Sequence, residues 1–501
     1  MFTEIKILLQ KDRKLSILLS IGLLVQVVIS ITAIGIYHPD QHFQLIEFSS
    51  FQLQQESAAK SVWELQAQIR PSLQVYLFSA YYLFCEGCGI HSPFMQLTIL
   101  RILLGLVLFV FFNSITLYYL KNERPRIIYW SLLILNFSWL LPYTRTLFSS
   151  EMLSPLFFFS GVFLYDWKRD RSIFTPLLTG FLFSLAFYFR FQMAFAILGF
   201  LVWMFLFERT GKGFLLLGLA FLAGMAINTC LDHGFYHQWV FTPYKYYEVN
   251  ILQGKAASMG TASFLVYIGL LVLVITAPPL SILLLYYGVK EAVRKYNQPL
   301  FIAVSFFIIG HCLISHKEER FLFPVLNILP VLIGWGLSGF ADYYQQCKRW
   351  VARLIKAILV FSGALNCIVL CLLFFTPYSQ MIHFSSLLND RFKDPVTIYC
   401  VPRTPFETES GLPLVFYRRA LPNFTFKKIA TNDSIRYVGT DKTGNTYLAT
   451  TYNQVLDNLP MIDSLGYKPF VYSSALLWHL NGFLHSIGIN TINDIWVLYK
   501  K

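Results

Sequence analysis

Apolar runs close to the length of a bilayer crossing recur between positions 15 and 376, and they leave little choice of fold class. A helix needs about 20 such residues to span the hydrocarbon core, where it must satisfy its own backbone groups. The runs lie at 15–36, 97–120, 127–141, 153–165, 173–189, 191–207, 214–230, 263–288, 299–315, 321–340 and 351–376. They predict a polytopic α-helical membrane protein with about eleven transmembrane helices. Composition agrees, with 56% hydrophobic and 13% charged residues, against roughly 25% charged in soluble domains.

The net charge of +13 then needs a membrane explanation. The Lys and Arg residues sit in short loops between apolar runs. That is the bias of cytoplasmic loops, not a nucleic-acid surface. Lys6, Lys11, Arg13 and Lys14 place the N-terminus inside, and the basic loops 121–126, 166–171, 208–212 and 290–295 fall on the same side. The first apolar run has no small-residue cleavage site and reads as a retained span. Two large loops, 37–95 and 231–262, fall outside. The apolar piece 73–84 is short for a crossing and is expected to lie at the interface.

After Pro377 the pattern changes. Strand-like pieces at 396–401, 446–451 and 495–500, with turn residues at 441–445, predict a small soluble α/β domain. The expected organisation is a membrane module over 1–377 and an extracytoplasmic domain over 378–501. The eight cysteines lie mostly in apolar segments, and only Cys85 and Cys88 form a close pair. A zinc site needs about four ligands. Inert thiols or one local disulfide are therefore expected, and no metal or other cofactor.

On this topology the unusual polar clusters share the external side: Asp40 to Glu47, Trp63-Glu64 with Arg70, Arg145 to Glu151, Arg190, Asp232 to Gln253, and His316 to Arg320. Charges at helix ends are common and often mere anchors, but the convergence of all these clusters on one membrane face points to a functional site. A carboxylate can take a proton from a hydroxyl. Arginines and lysines can hold a phosphate and stabilise it as it leaves, and apolar grooves can hold a lipid tail. Together they suit sugar transfer from a lipid phosphate, with one base, a cationic clamp and no metal.

The residues themselves carry a resemblance. Tyr37-His38-Pro39-Asp40-Gln41-His42-Phe43-Gln44-Leu45-Ile46-Glu47 resembles the His-Pro-Asp-Glu-x-x-x-Gln-x-x-Glu signature of glycosyltransferase family 22, the GT-C fold mannosyltransferases. Trp63-Glu64 with Ile69-Arg70 and Arg145-Thr146-Leu147-Phe148-Ser149-Ser150-Glu151 are similar to two further family segments. So are Asp232 with Tyr236-His237-Gln238-Trp239-Val240-Phe241-Thr242-Pro243-Tyr244 and His316-Lys317-Glu318-Glu319-Arg320-Phe321. The order is that of the family, and the second large loop is most similar to the GPI mannosyltransferase 3 branch.

The resemblance implies an inverting GT-C enzyme that moves a hexose, mannose in this family, from a polyprenyl-phosphate donor to a hydroxyl of a glycan or glycolipid. Asp40 is then the expected catalytic base, with Glu47 beside it. Arg145, Arg190, His316, Lys317 and Arg320 are the expected donor-phosphate ligands. Gln41, Gln44, Arg70, Glu151, Tyr244 and Lys245 are the expected substrate contacts; His38 and His42 read as structural. The chain departs from the signature at Gln41, where the family has Glu, and at Pro71-Ser72-Leu73, where it has Ser-Tyr-Thr. Its short loops suggest a bacterial homologue facing the periplasm, the alternative being an endoplasmic reticulum enzyme with a lumenal site. The rival functions are a lipid-linked sugar flippase and a non-catalytic membrane scaffold.

Overall fold

A computed structural model of the chain describes residues 12–167, 172–429, 435, 446–489 and 494–501. Lys6, Lys11, part of the basic loop 166–171 and the expected turn at 441–445 lie outside these. Over the described residues the chain forms two compact units built from separate stretches. One comprises Met1–Ile31, Glu64–Tyr76 and Leu100–Phe374; the other comprises Thr32–Trp63, Leu77–Ile99 and Phe375–Lys501.

The first unit is helical. Every stretch read as a span is helical over most of its length. Among the described residues, five helices are long and apolar enough to cross a membrane: Arg13–Thr32, Pro93–Leu120, Phe191–Glu208, Gly211–Tyr236 and Arg349–Phe374. Two expected spans are broken. The run at 263–288 becomes Leu265–Ile275 and Leu280–Arg294, bent by 107°. Its break holds Pro278 and Pro279, which lack N–H donors and push the preceding residue out of the helical region. The run at 321–340 becomes Glu319–Leu326 and Leu329–Gln346, bent by 67°, with Pro330 opening the second helix. The helix expected at 127–141 is Pro125–Phe137 and stops at Ser138, which is extended.

Helices pack closely where side chains are absent. A methyl group added at Gly336 would lie 2.4 Å from the backbone of Tyr287 and Gly288. The Leu280–Arg294 and Leu329–Gln346 helices thus meet backbone to backbone, a common device where lipid supplies no hydrophobic drive between helices.

The second unit carries a five-stranded sheet of order β2-β1-β3-β5-β4. The strands are β1 (Val396–Val401), β2 (Phe424–Lys428), β3 (Tyr447–Thr451), β4 (Lys468–Tyr472) and β5 (Trp496–Lys500). β1 runs parallel to β2 and β3; β5 runs antiparallel to β3 and β4. Strands β1, β3 and β5 match the three expected pieces within a residue. β2 and β4 escaped the sequence reading because they are the edges. Their Lys427, Lys428, Lys468 and Pro469 are what edge strands carry against aggregation, and they erase the alternation that marks a strand. The loop helix expected at 73–84 is Leu73–Gly87, and the cysteines in the described residues are free.

Candidate active site

Within the second unit, the 37–48 stretch begins at a pinned turn. Gly35 has φ 105°. The Ser379 backbone amide donates to the Ile34 carbonyl at 3.1 Å, and a methyl at Gly35 would come within 2.8 Å of Ser379. Pro39 then opens the short helix Pro39–Gln41. Its N-cap is His38, whose Nδ1 accepts from the Asp40 backbone amide at 3.2 Å. Asp40 is therefore not the cap that an Asp here could have been. Its carboxylate keeps 28% side-chain exposure and lies 3.6 Å from His38 Nδ1. The Gln41 side-chain oxygen accepts from the Tyr37 amide at 3.2 Å, bracing the turn.

His42–Glu47 is a π-helical turn, all six residues buried. Such turns concentrate at functional sites. The seven-residue spacing of Asp40 and Glu47 would put them on one side of a regular α-helix. The wider π turn intervenes, and Glu47 is wholly enclosed while Asp40 is not. Glu47 Oε1 pairs with His42 Nε2 at 2.8 Å and accepts the Phe416 amide at 3.1 Å; Oε2 accepts the Ala58 amide at 2.9 Å. Burial pushes the Glu47 carboxyl upward. His42 and the two amides outweigh this and hold it below its ordinary 4.5. The His42 ring stacks on Tyr417, centroids 5.5 Å apart, and Gln44 is buried beside this turn.

In the first unit three of the expected phosphate ligands, Arg190, His316 and Arg320, are held by acids. Arg190 stands at a break: the Phe174–Phe189 helix ends, Arg190 is extended, and a 3-10 turn follows. Its Nη1 binds Glu151 Oε1 at 2.7 Å, and Arg320 Nη1 reaches the same oxygen at 3.4 Å. Arg320 Nε also donates to Glu318 Oε2, while Glu318 Oε1 meets His316 Nε2 at 2.9 Å. His316, Glu318, Arg320, Glu151 and Arg190 thus form one alternating chain. Glu318 was expected to orient Lys317. It binds its other two neighbours instead, and Lys317 Nζ donates to the carbonyls of Cys312 and Ile314.

The pairing leaves one guanidinium edge unused. Nε and Nη2 of Arg190 are buried without a hydrogen-bond partner among the described residues, and Arg190 as a whole is only 6% exposed. Arg190 lines a small recess with Arg70, Gln74, Ser150, Gln192 and Tyr246. Arg70 is bound to Glu64 at 2.5 Å and lies over the Tyr246 ring, and Gln192 donates to the Tyr246 hydroxyl at 2.6 Å. Buried donors without acceptors are costly, so two of them on a residue that lines a polar recess call for a water or an anion as a partner.

Sequence reasoning passed over Gln74, Gln192 and Tyr246. Gln192 had a usable signal, since it follows Arg190 by two residues at a break between apolar runs. The sequence placed Asp232 in an external polar cluster and in the family pattern without giving it a role of its own. Its carboxylate accepts from the Ser72 amide, the Ser72 hydroxyl and the Thr242 hydroxyl at 2.8, 2.7 and 2.6 Å. With the Tyr236 hydroxyl on the Arg70 carbonyl at 2.7 Å, it fixes the backbone that carries Arg70.

Arg145 is placed elsewhere. It is fully buried, bonded to Gln26 and Asn136 at 2.9 and 3.3 Å, and does not line the recess. Tyr244 is exposed, and Lys245 pairs with Glu248 at 2.9 Å.

Three comparisons bear on this geometry. The family model described as the Alg9-like mannosyltransferase family matches residues 17–402. Mannosyltransferase APTG1 of Arabidopsis thaliana is 24% identical over 316 residues, 60% of this chain and 55% of its own length. GPI mannosyltransferase 3 of Candida albicans is 32% identical over 123 residues, covering 24% of this chain and 22% of its own. The chain spans about half the length of the first relative and less of the second. Among solved structures, ArnT from Cupriavidus metallidurans bound to undecaprenyl phosphate superposes with a TM-score of 0.51 at 11% identity, covering 97% of both chains. Its apo form gives 0.50. At that identity the likeness establishes the GT-C fold of a multi-pass membrane protein.

Proposed function

The chain belongs to the Alg9-like mannosyltransferase family, and from that premise we propose that it transfers mannose from a polyprenyl-phosphate donor to a hydroxyl of a glycan or glycolipid. The observation that carries this reading is the unused, buried edge of Arg190 beside Arg70. A guanidinium edge of two N–H donors matches two phosphate oxygens. Glu151 holds the opposite side of Arg190, so the fork is fixed before a ligand arrives. Undecaprenyl phosphate bound to ArnT, a protein of the same fold, supports a lipid phosphate as the ligand class.

The reaction runs with inversion. An acceptor hydroxyl attacks the anomeric carbon as the bond from that carbon to the phosphate oxygen breaks. The departing oxygen keeps the electron pair and leaves as polyprenyl phosphate. Asp40 takes the hydroxyl proton, because its carboxylate is partly open where Glu47 is enclosed. Arg190 and Arg320 offset the charge that grows on the phosphate, and Glu47 and His42 hold the loop that carries Asp40. No metal takes part. We place the site on the periplasmic side of a bacterial inner membrane, by the charge bias of the loops.

The test is transfer by purified enzyme from polyprenyl-phosphate mannose to a glycolipid acceptor. Asp40→Asn should lower kcat by about 10²- to 10⁴-fold, as loss of a general base does. Arg190→Met should cost about 10²- to 10³-fold, and Arg190→Lys should recover little of it, since a point charge lacks the fork. Arg190→Met combined with Glu151→Gln removes both charges of the pair. It should restore thermal stability and leave activity low. Wild-type transfer by Asp40→Asn, or activity recovered with stability in the double variant, would refute this reading.

A further inference from the structure

An apolar cleft of the first unit shares no lining residue with the recess at Arg190. It has a volume of about 440 Å³ and lies between the Pro125–Phe137, Leu280–Arg294, Leu329–Gln346 and Arg349–Phe374 helices. Its walls are Trp130, Leu133, Leu284, Phe340, Leu359 and their neighbours, and its two ends differ in chemistry. At one end stands Arg126, exposed and without a side-chain partner among the described residues, with Tyr344 and Gln345 lining the same cleft. Lys356 lies one turn before Leu359 on the same helix and is exposed. The other end is stitched shut. Ser138 donates to the Val274 carbonyl, Asn366 donates to the Phe137 carbonyl at 2.6 Å, and the Trp139 indole donates to the Leu273 carbonyl at 2.8 Å.

We propose that this cleft binds one acyl chain of an anionic phospholipid, with the phosphate of its headgroup on Arg126 and Lys356. Three features select that occupant. The walls are apolar and the closed end has spent its polar groups internally, so the guest is a hydrocarbon chain that enters from the basic end. The wall from Arg126 to Ser138 rises about 18 Å, close to the depth of one leaflet, about 15 Å. The basic end belongs to the side that the loop charges mark as cytoplasmic, where anionic lipids meet Lys and Arg. This places it opposite the proposed donor site, so the headgroup at Arg126 is not the sugar donor's phosphate.

The structure supplies a specific probe. A methyl group added at Gly363, which lines the cleft, meets nothing within 4 Å. Gly363→Leu therefore fills the slot without displacing a neighbour, and it removes a glycine from a helix interior, which favours the helix.

The experiment is native mass spectrometry of the full chain released from nanodiscs of equal phosphatidylglycerol and phosphatidylcholine. One phosphatidylglycerol should stay bound to the wild type. Arg126→Ala and Lys356→Ala should each weaken its retention about fivefold. Gly363→Leu should abolish retention while melting no lower than wild type, and Ala341→Leu should act likewise. Lys212→Ala, on another basic loop, should change nothing. Equal retention of both lipids, or retention unaltered in both Gly363→Leu and Ala341→Leu, would overturn the proposal. So would displacement of the lipid by undecaprenyl phosphate with no effect of Arg126→Ala or Lys356→Ala. That result would assign the cleft to the donor's tail. Sugar transfer is not needed for any of these readings, so they stand or fall apart from the proposed activity.

Discussion

Glu47 shows how two carboxylates of one motif come to do different work. Its two oxygens accept from His42 and from the amides of Ala58 and Phe416, and that environment lowers its pKa below 4.5. A lowered folded value means that ionised Glu47 contributes stability above about 4.5, the unfolded value. That stability is lost as the pH falls through the folded value. Wild-type protein should therefore lose the packing of the 32–63 segment in acid, measured as protease sensitivity against pH. Glu47→Gln should remove that pH-dependent component. Glu47→Ala, which orphans two buried amides and His42, should cost about 3 kcal/mol at neutral pH. If Glu47→Gln kept the acid response of the wild type, another group would control it.

At the scale of elements, breaks matter more than spans. Arg190 is available because the chain leaves the helix there and re-enters by a 3-10 turn. Asp232 ties one such irregular segment to another through Ser72 and Thr242. Asp232→Ala leaves two hydroxyls and an amide without their acceptor. It should cost about 2–3 kcal/mol and lower donor affinity through Arg70, checked by thermal unfolding and by donor KM. The helix pair at Gly288 and Gly336 gives a contrast with Gly363. Gly336→Leu drives a side chain into the facing backbone at 2.4 Å and should destabilise by at least about 1–3 kcal/mol, where Gly363→Leu should not. Equal melting temperatures for the two variants would contradict the packing described.

At the scale of the molecule, the C-terminal residues are part of what shapes the 32–63 segment. The second unit unites Thr32–Trp63 with Phe375–Lys501, and Phe416 and Ser379 supply contacts to Glu47 and Ile34. A chain ending at residue 374 should keep its membrane helices. Its 32–63 segment should become protease-sensitive, and transfer activity should be lost beyond recovery by added domain at micromolar concentration. Full activity in that truncated chain would show that the C-terminal stretch is dispensable for the loop.

The helical stretches and the family were legible in the sequence, because apolar length and ordered motifs are local properties of a chain. Three of the five strands were legible for the same reason, and the charged edge strands were not. Tertiary structure alone decided which polar groups are satisfied. Glu47 and Asp40 look alike seven residues apart, yet a π turn and the amide of Phe416, 369 positions away, enclose one and leave the other open. Arg145 and Arg190 look alike as lone cations at the ends of apolar runs. Gln26 and Asn136 take Nε and Nη1 of the first and leave only Nη2 without a partner among the described residues, while Glu151 takes Nη1 of the second and leaves both Nε and Nη2. Hydrogen-bond satisfaction depends on partners brought together from distant positions, and no spacing along the chain encodes it.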